Sequence, residues 1–293
     1  VGVHWLLALL LAASPVPSSV PSGPIPRAER TAVLVGAGDI AVCGPGTEAT
    51  AKILDRTPGT VFTLGDNVYP DGSAANFRRC YDPTWGRAKA RTRPAVGNHD
   101  YRTEHAKPYY DYFGSAAGDR TKGYYSYDLG GWHIVVLNSV CAEVSCSVSS
   151  AQNRWLRADL RRSTARCTAA LWHHPLYTSG KDHGPTADVR PLYQTLYDNG
   201  ADVNLTGHNH NYERFSPMDP WGHVDAKRGL VPFVVGTGGA SHYGFRSPAP
   251  GSLVRDAQTF GVLKLTLHPD GAEYAFLPIA GRKFTDSGRI TCH

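Results

Sequence analysis

Val61-Phe62-Thr63-Leu64-Gly65-Asp66-Asn67-Val68-Tyr69 is the stretch that decides the fold. An apolar, partly β-branched run gives way to glycine, and an aspartate follows. That is how a strand hands a side chain to a loop at its carboxyl end. The same hand-over recurs along the chain. Ala32-Val33-Leu34-Val35 leads to Gly38-Asp39-Ile40, and further on stand Gly97-Asn98-His99-Asp100, Leu171-Trp172-His173-His174-Pro175 and Gly207-His208-Asn209-His210. One such motif arises by chance in any glycine-rich chain, but five in this order spell a two-metal site.

Working outward, strand-like runs cover residues 31–35, 60–64, 124–129, 133–138, 168–172, 201–205, 232–236, 262–267 and 272–277, and helical patterns cover 47–55, 151–160 and 189–197. Early strands alternate with helices, and late ones follow each other directly. This order predicts an α/β fold of two packed β-sheets flanked by helices, a four-layer sandwich rather than a barrel of eight equal units. There is no internal repeat. The motifs run from Asp39 to His210 without a Pro/Ser-rich break, so residues 29–293 read as one catalytic domain.

Residues 1–28 carry location. The apolar run at residues 5–13 is shorter than the roughly 20 residues a membrane span needs, and a Ser/Pro-rich segment follows it. It reads as a secretory signal with a linker, although only His4 stands where a basic start is usual. Cys43 is the first cysteine, so no acceptor for an N-terminal lipid precedes it and no membrane anchor is expected. Export makes the six cysteines candidates for disulfides, and none falls in a Cys-x-x-Cys pair that would suit a metal. Sequence alone leaves their pairing open; Cys141 with Cys146 can pin one loop, and Cys43 with Cys80 can tie two loops at the active face. The net charge is +5, and Arg87, Lys89, Arg91 and Arg93 form the one clear basic cluster. It would suit an anionic substrate or surface, but with no aromatics interleaved it reads as a solvated loop, and no specific nucleic-acid binding is expected.

The ligand types define the chemistry. A carboxylate that bridges two cations must lie between ligands unique to each, and Asp66 is placed to do so. The remaining donors mix oxygen and nitrogen with no thiolate, which suits iron, zinc or manganese. Two such ions about 3.5–4 Å apart hold the attacking and leaving oxygens of a phosphoryl transfer, which points to hydrolysis of a phosphate ester.

Asp39, Gly65-Asp66-Asn67-Val68-Tyr69, Asn98-His99-Asp100, His173 and His208-Asn209-His210 together resemble the calcineurin-like metallophosphoesterases, and Tyr69 in its Gly-Asp-x-x-Tyr setting resembles the purple acid phosphatase branch. The resemblance implies a ferric ion held by Asp39, Asp66, Tyr69 and His210, and a second ion, iron, zinc or manganese, held by Asp66, Asn98, His173 and His208. It implies a secreted phosphatase acting on small phosphate monoesters by direct attack of a metal-activated hydroxide. The extra N-terminal β domain of plant-type members is not expected here. In this branch His99 and the His183 of Asp182-His183-Gly184-Pro185-Thr186 would bind phosphate or protonate the leaving group, a task that suits imidazole. Ala41 stands where the family usually has glycine. His173 rather than His174 holds the family's position before Pro175, and strand alternation should turn its neighbour away.

Asp100 is expected to orient a neighbouring histidine. His105, His133, His223, His242, His268 and His293 read as surface or packing histidines, with His242, after Gly236-Thr237-Gly238-Gly239, the one to test. Two rivals stand beside the phosphatase: a dimanganese-type phosphodiesterase in which Tyr69 is no ligand, and a secreted protein that only binds metal or phosphate.

Overall fold

The computed structural model describes residues 1–3 and 31–293. The signal reading on residues 5–13 and the linker after it lie outside the described residues. In chain order the strands are β1 (Ala32–Ala37), β2 (Thr60–Thr63), β3 (Thr92–Arg93), β4 (Tyr125–Leu129), β5 (Trp132–Val136), β6 (Cys167–Leu171) and β7 (Val203–Thr206). They continue with β8 (Tyr212–Phe215), β9 (Val231–Val235), β10 (Ser252–Asp256), β11 (Gly261–His268), β12 (Gly271–Pro278) and β13 (Ser287–Thr291). The longer helices are α1 (Pro45–Arg56), α2 (Lys107–Phe113), α3 (Ala151–Arg162) and α4 (Arg190–Asp198).

One sheet runs β13-β12-β11-β1-β2-β3 and the other β10-β8-β9-β7-β6-β5-β4. In the first, β1, β2 and β3 are parallel, with Val35 opposite Val61, and β11 to β13 form an antiparallel meander. In the second, β5, β6, β7 and β9 are parallel, with Ile134 opposite Ala169 and Leu205 opposite Phe233. Strand alternation sorts the side chains into layers. Ile134, Val136, Ala169 and Leu171 join Leu34, Phe62 and Leu265 in the core between the sheets. Their neighbours Val135, Leu137, Ala170 and Trp172 join Leu156 of α3 and Leu192 and Leu196 of α4 in an outer core. A sheet covered on both faces requires continuous apolar strands, which is why these runs were readable.

The helices form for local reasons. α1 has Pro45 in its first turn and buries Thr47, Thr50, Ala51 and Leu54, one stripe at helical spacing. α3 starts where the Ser150 side chain accepts the Asn153 N–H at 3.0 Å. The sandwich of two sheets with helices outside is therefore as expected.

Four strands carry no apolar signature. β8 is Tyr212-Glu213-Arg214-Phe215, yet Glu213 is fully buried and accepts from the Ser179 amide and from the Ser179 and Ser252 hydroxyls, while Arg214 pairs with Asp286 at 2.6 and 3.1 Å. Tertiary partners distant in sequence make this strand. β3, β10 and β13 lie at sheet edges, where polar residues are the norm.

All six cysteines are paired, Cys43 with Cys80, Cys141 with Cys146 and Cys167 with Cys292. The first ties the loop after Asp39 to the Phe77–Tyr81 turn, and the last ties β6 to the end of the chain. Among the described residues no helix is long and apolar enough to cross a membrane.

Candidate metal centre

Each motif lies just past the carboxyl end of a parallel strand: Asp39 after β1, Asp66 after β2, Asn98 after β3, His173 after β6 and His208 after β7. Three of these residues turn the chain with backbone that L-residues rarely adopt. Asp39, Asp66 and His208 have φ of 60°, 49° and 69°, a geometry that costs about 1–3 kcal/mol each and gathers at functional sites. The glycine before Asp66 is required twice over: Gly65 has φ of 82°, and a Cβ there would lie 2.6 Å from His173 Nδ1. Ala41 is harmless, because it pairs with Val68 in an ordinary parallel bridge.

The side chains converge on two adjacent points. At the first, the Tyr69 hydroxyl lies 2.9 Å from Asp39 Oδ1, 3.0 Å from Asp66 Oδ2 and 3.0 Å from His210 Nε2, and His210 Nε2 is 3.3 Å from Asp39 Oδ1. At the second, His173 Nε2 lies 2.9 Å from Asn98 Oδ1, 3.2 Å from His208 Nδ1 and 3.3 Å from Asp66 Oδ2. The same oxygen, Asp66 Oδ2, belongs to both sets. Donor atoms that share one ion at about 2.1 Å and near right angles stand about 3 Å apart, so both sets have the spacing of ligands around a cation.

The far side of each ring fixes its tautomer. His173 Nδ1 donates to the Leu64 carbonyl at 2.7 Å and His210 Nδ1 to the Ser241 carbonyl at 2.7 Å, which leaves both Nε2 lone pairs for the centre. Without an ion, charge pairs as it can. Burial would lower His173, but the Asp66 carboxylate outweighs it and raises the imidazole to about 9. Burial would raise Asp66, but His173 and His99 hold it far below the usual carboxylate range. Burial, then the Asp39 and Asp66 charges, push the Tyr69 phenol well above its ordinary value. A cation among these oxygens reverses that logic, because it favours the phenolate and displaces protons from the imidazoles. The buried acids, the anchored rings and the spacing therefore fit a pair of metal ions.

The proposed acid histidines stand one at each point. His99 Nδ1 donates to the Pro70 carbonyl at 2.7 Å, and its Nε2 faces the centre 3.9 Å from Asp66 Oδ2. His183 stacks on His208 with centroids 4.1 Å apart, and burial, then His210, lowers its pKa. His174 is not turned away. β6 ends at Leu171, so alternation no longer applies, and the His174 ring packs 4.4 Å from His208 with its Nδ1 3.0 Å from Ser139 Oγ. A donor atom of His174 lies within ligand reach of His173 and His208, and burial, then His173, lowers its pKa to about 3.

Asp100 also differs from expectation. It faces no histidine and instead accepts the Gly97 N–H and the Asn67 side-chain amide, each at 2.9 Å, bracing the two loops. Burial, then the Asp66 charge, raises its carboxyl to about 7. His242 stacks on Phe260 at 4.0 Å, away from the ligand set. Its neighbour Tyr243, which sequence reasoning passed over, lies flat on His210 at 4.0 Å and edge-on to His183 at 5.4 Å. Ser139 was missed as well, although it follows β5 as the ligands follow their strands. Its hydroxyl accepts the His173 and His174 backbone N–H groups at 3.1 and 2.8 Å.

A family model described as calcineurin-like phosphoesterase matches residues 33–212 of this chain. The chain belongs to the calcineurin-like phosphoesterase family. Purple acid phosphatase 15 of Arabidopsis thaliana is 27% identical over 228 residues, covering 64% of this chain and 42% of the relative. This calcineurin-like chain spans less than half the length of that relative and of purple acid phosphatase 23, of which it covers 49%. Purple acid phosphatase PPD1 from yellow lupin seeds has a similar structure, with a TM-score of 0.76 at 22% identity over 89% of this chain and 54% of that one. GAP50, the anchor in the inner membrane complex of Plasmodium, matches with a TM-score of 0.67 at 13% identity over 90% of this chain and 89% of its own. At such identities the likeness speaks for the fold alone, and a fold that also serves as an anchor does not by itself confer an activity.

Proposed function

We propose that this chain is a secreted, dinuclear-metal phosphoesterase of the purple acid phosphatase type that hydrolyses small phosphate monoesters. The observation that carries the reading is Asp66 Oδ2, which lies 3.0 Å from Tyr69 in one donor set and 3.3 Å from His173 in the other. Asp39, Asp66, Tyr69 and His210 would hold a ferric ion, and Asp66, Asn98, His173 and His208 a second ion of iron, zinc or manganese. When bound, such ions supply Lewis-acid charge at the phosphoryl oxygens and an activated water for in-line attack.

The protein's own groups do the rest. The His99 amide donates to Asp66 Oδ1 at 2.7 Å, so the residue that holds the bridging carboxylate in register also presents an imidazole beside it. That imidazole holds a proton for the leaving oxygen. His183, braced between His208 and Tyr243, closes the other side of the approach and offers a second donor to phosphate. Ser139 is occupied by two backbone N–H groups, so no hydroxyl is left free to form a phosphoenzyme. Three disulfides that pair all six cysteines support export, since thiols oxidise outside the cytoplasm.

The test is hydrolysis of p-nitrophenyl phosphate beside its bis ester, with and without chelator, on protein of measured metal content. Monoester turnover that disappears with the metal and returns on reloading is expected. Preference for the diester with manganese, or two bound metals without turnover, would sink the phosphatase reading in favour of the diesterase or of a binding protein.

A further inference from the structure

The basic cluster Arg87, Lys89, Arg91 and Arg93 is outside the metal centre, and the fold divides it into two pairs. Arg87 is ion-paired with Glu48 at 3.0 Å and Asp55 at 2.8 Å, and Arg91 donates to the Leu54 and Gly59 carbonyls at 2.7 and 2.6 Å. These two hold the Trp85–Arg91 turn against α1 and its end. Lys89 and Arg93 have no carboxylate partner among the described residues. Each lies instead over a tyrosine ring from elsewhere in the chain, Lys89 at 4.1 Å from the Tyr112 centroid and Arg93 at 5.6 Å from that of Tyr127. The aromatics missing from the local sequence are supplied by the tertiary fold, and they hold both cations in place.

Both charges border a cavity of about 900 Å³ between the Trp85–Arg91 turn and β4, where the edge strands of the two sheets, β3 and β4, come side by side. Arg87, Lys89, Arg93, Ser115, Tyr125 and Tyr127 line it, and no acidic residue does. An independent observation points the same way: the Tyr127 hydroxyl is buried and has no hydrogen-bond partner. A buried hydroxyl left unpaired costs about 1–3 kcal/mol, which a bound acceptor removes. The volume is far larger than one phosphate group needs, and the two unpaired cations rest on separate rings.

We propose that this cavity is a second ligand site, distinct from the metal centre, that binds a small compound carrying two or more phosphate groups. Arg93 supplies a planar fork for one group, Lys89 a point charge for another, and the Tyr127 hydroxyl donates to the ligand. The site stands whether or not the metal centre is a phosphatase.

The probe is methylenediphosphonate, whose P–C–P link resists hydrolysis, titrated calorimetrically into the metal-loaded full chain and into its K89A/R93A variant. Wild type is expected to bind one equivalent more than the variant, or to bind the second equivalent about tenfold or more tightly, as befits loss of charge-assisted hydrogen bonds. Hydrolysis of p-nitrophenyl phosphate should be the same in both. K89A alone, at an exposed position that cannot disturb the core, should weaken the same event, as should Tyr127→Phe, which deletes only the hydroxyl. Equal stoichiometry and affinity in wild type and K89A overturn the proposal. So does binding that follows metal removal entirely, since the diphosphonate would then report the metal centre alone.

Discussion

Two places in this molecule set imidazole against carboxylate at about 3 Å, and only one of them looks like a ligand field. At the amino end of β5, His133 spends both ring nitrogens on separate acids, Nδ1 on Asp128 and Nε2 on Asp159, each at 2.9 Å. The bridge is linear, and no third donor joins it. At the carboxyl end of the strands, His173 and His210 each give one nitrogen to a backbone carbonyl and turn the other toward a point shared with three more donors. Proximity of histidine and aspartate is therefore not the mark of a metal site. Convergence is, together with a carbonyl behind each ring and strained φ at the ligands.

The change that should break the comparison most completely is Asp66→Ala, since it removes the oxygen common to both donor sets. Metal content and turnover should fall together, turnover by about a hundredfold or more, with circular dichroism unchanged. A variant that keeps two metals and near-normal turnover would reduce the centre to an ion pair like that of His133. His173→Ala should cost one ion and most of the activity. His174→Ala should cost about tenfold, because His174 packs on a ligand from outside the converging set. Metal analysis of both variants decides the order, and the reverse order would make His174 the ligand.

What was legible follows the same division. The ligands were readable because each sits where an apolar strand meets glycine, and the glycines are enforced locally, as at Gly207, whose Cβ would lie 2.6 Å from Asp39 Oδ2. The supporting parts were not. The Leu64 and Ser241 carbonyls that fix the tautomers are backbone atoms with no sequence signature, and Tyr243 reaches His210 from a Gly- and Ser-rich loop. His174 was misjudged because a strand rule was carried past the strand's end. β8 was overlooked because Glu213 and Arg214 read as solvent-exposed until Ser179, Ser252 and Asp286 arrive from elsewhere.

Tyr69→Phe sharpens the contrast between the two points of the centre. Its hydroxyl touches Asp39, Asp66 and His210 but none of Asn98, His173 or His208 among the recorded contacts. With iron supplied and kept oxidised, wild type should be violet to pink through phenolate charge transfer, and the variant colourless. Hydrolysis should largely survive, because the other six residues remain. A colourless iron-loaded wild type would remove Tyr69 from the ligand set.

The smallest effect belongs to the bridge that is not a site. Burial would lower the His133 pKa, but hydrogen bonds to Asp159 and Asp128 outweigh it and raise the value. A raised folded pKa means the charged bridge stabilises fully below the unfolded value of about 6.5 and loses that contribution as pH rises through the folded value. On the acid side the window closes through Asp159, whose pKa burial would raise but the same histidine lowers; its share is lost as pH falls through that lowered value. Removing hydrogen bonds to a charged group costs about 1–3 kcal/mol, which is a shift of a few degrees in a chain of this size. His133→Gln should therefore melt several degrees below wild type near pH 6, with the gap shrinking toward pH 9 and metal content and turnover unchanged. A gap independent of pH would mean that His133 acts by packing alone; loss of bound metal would mean that the two regions are not separable after all.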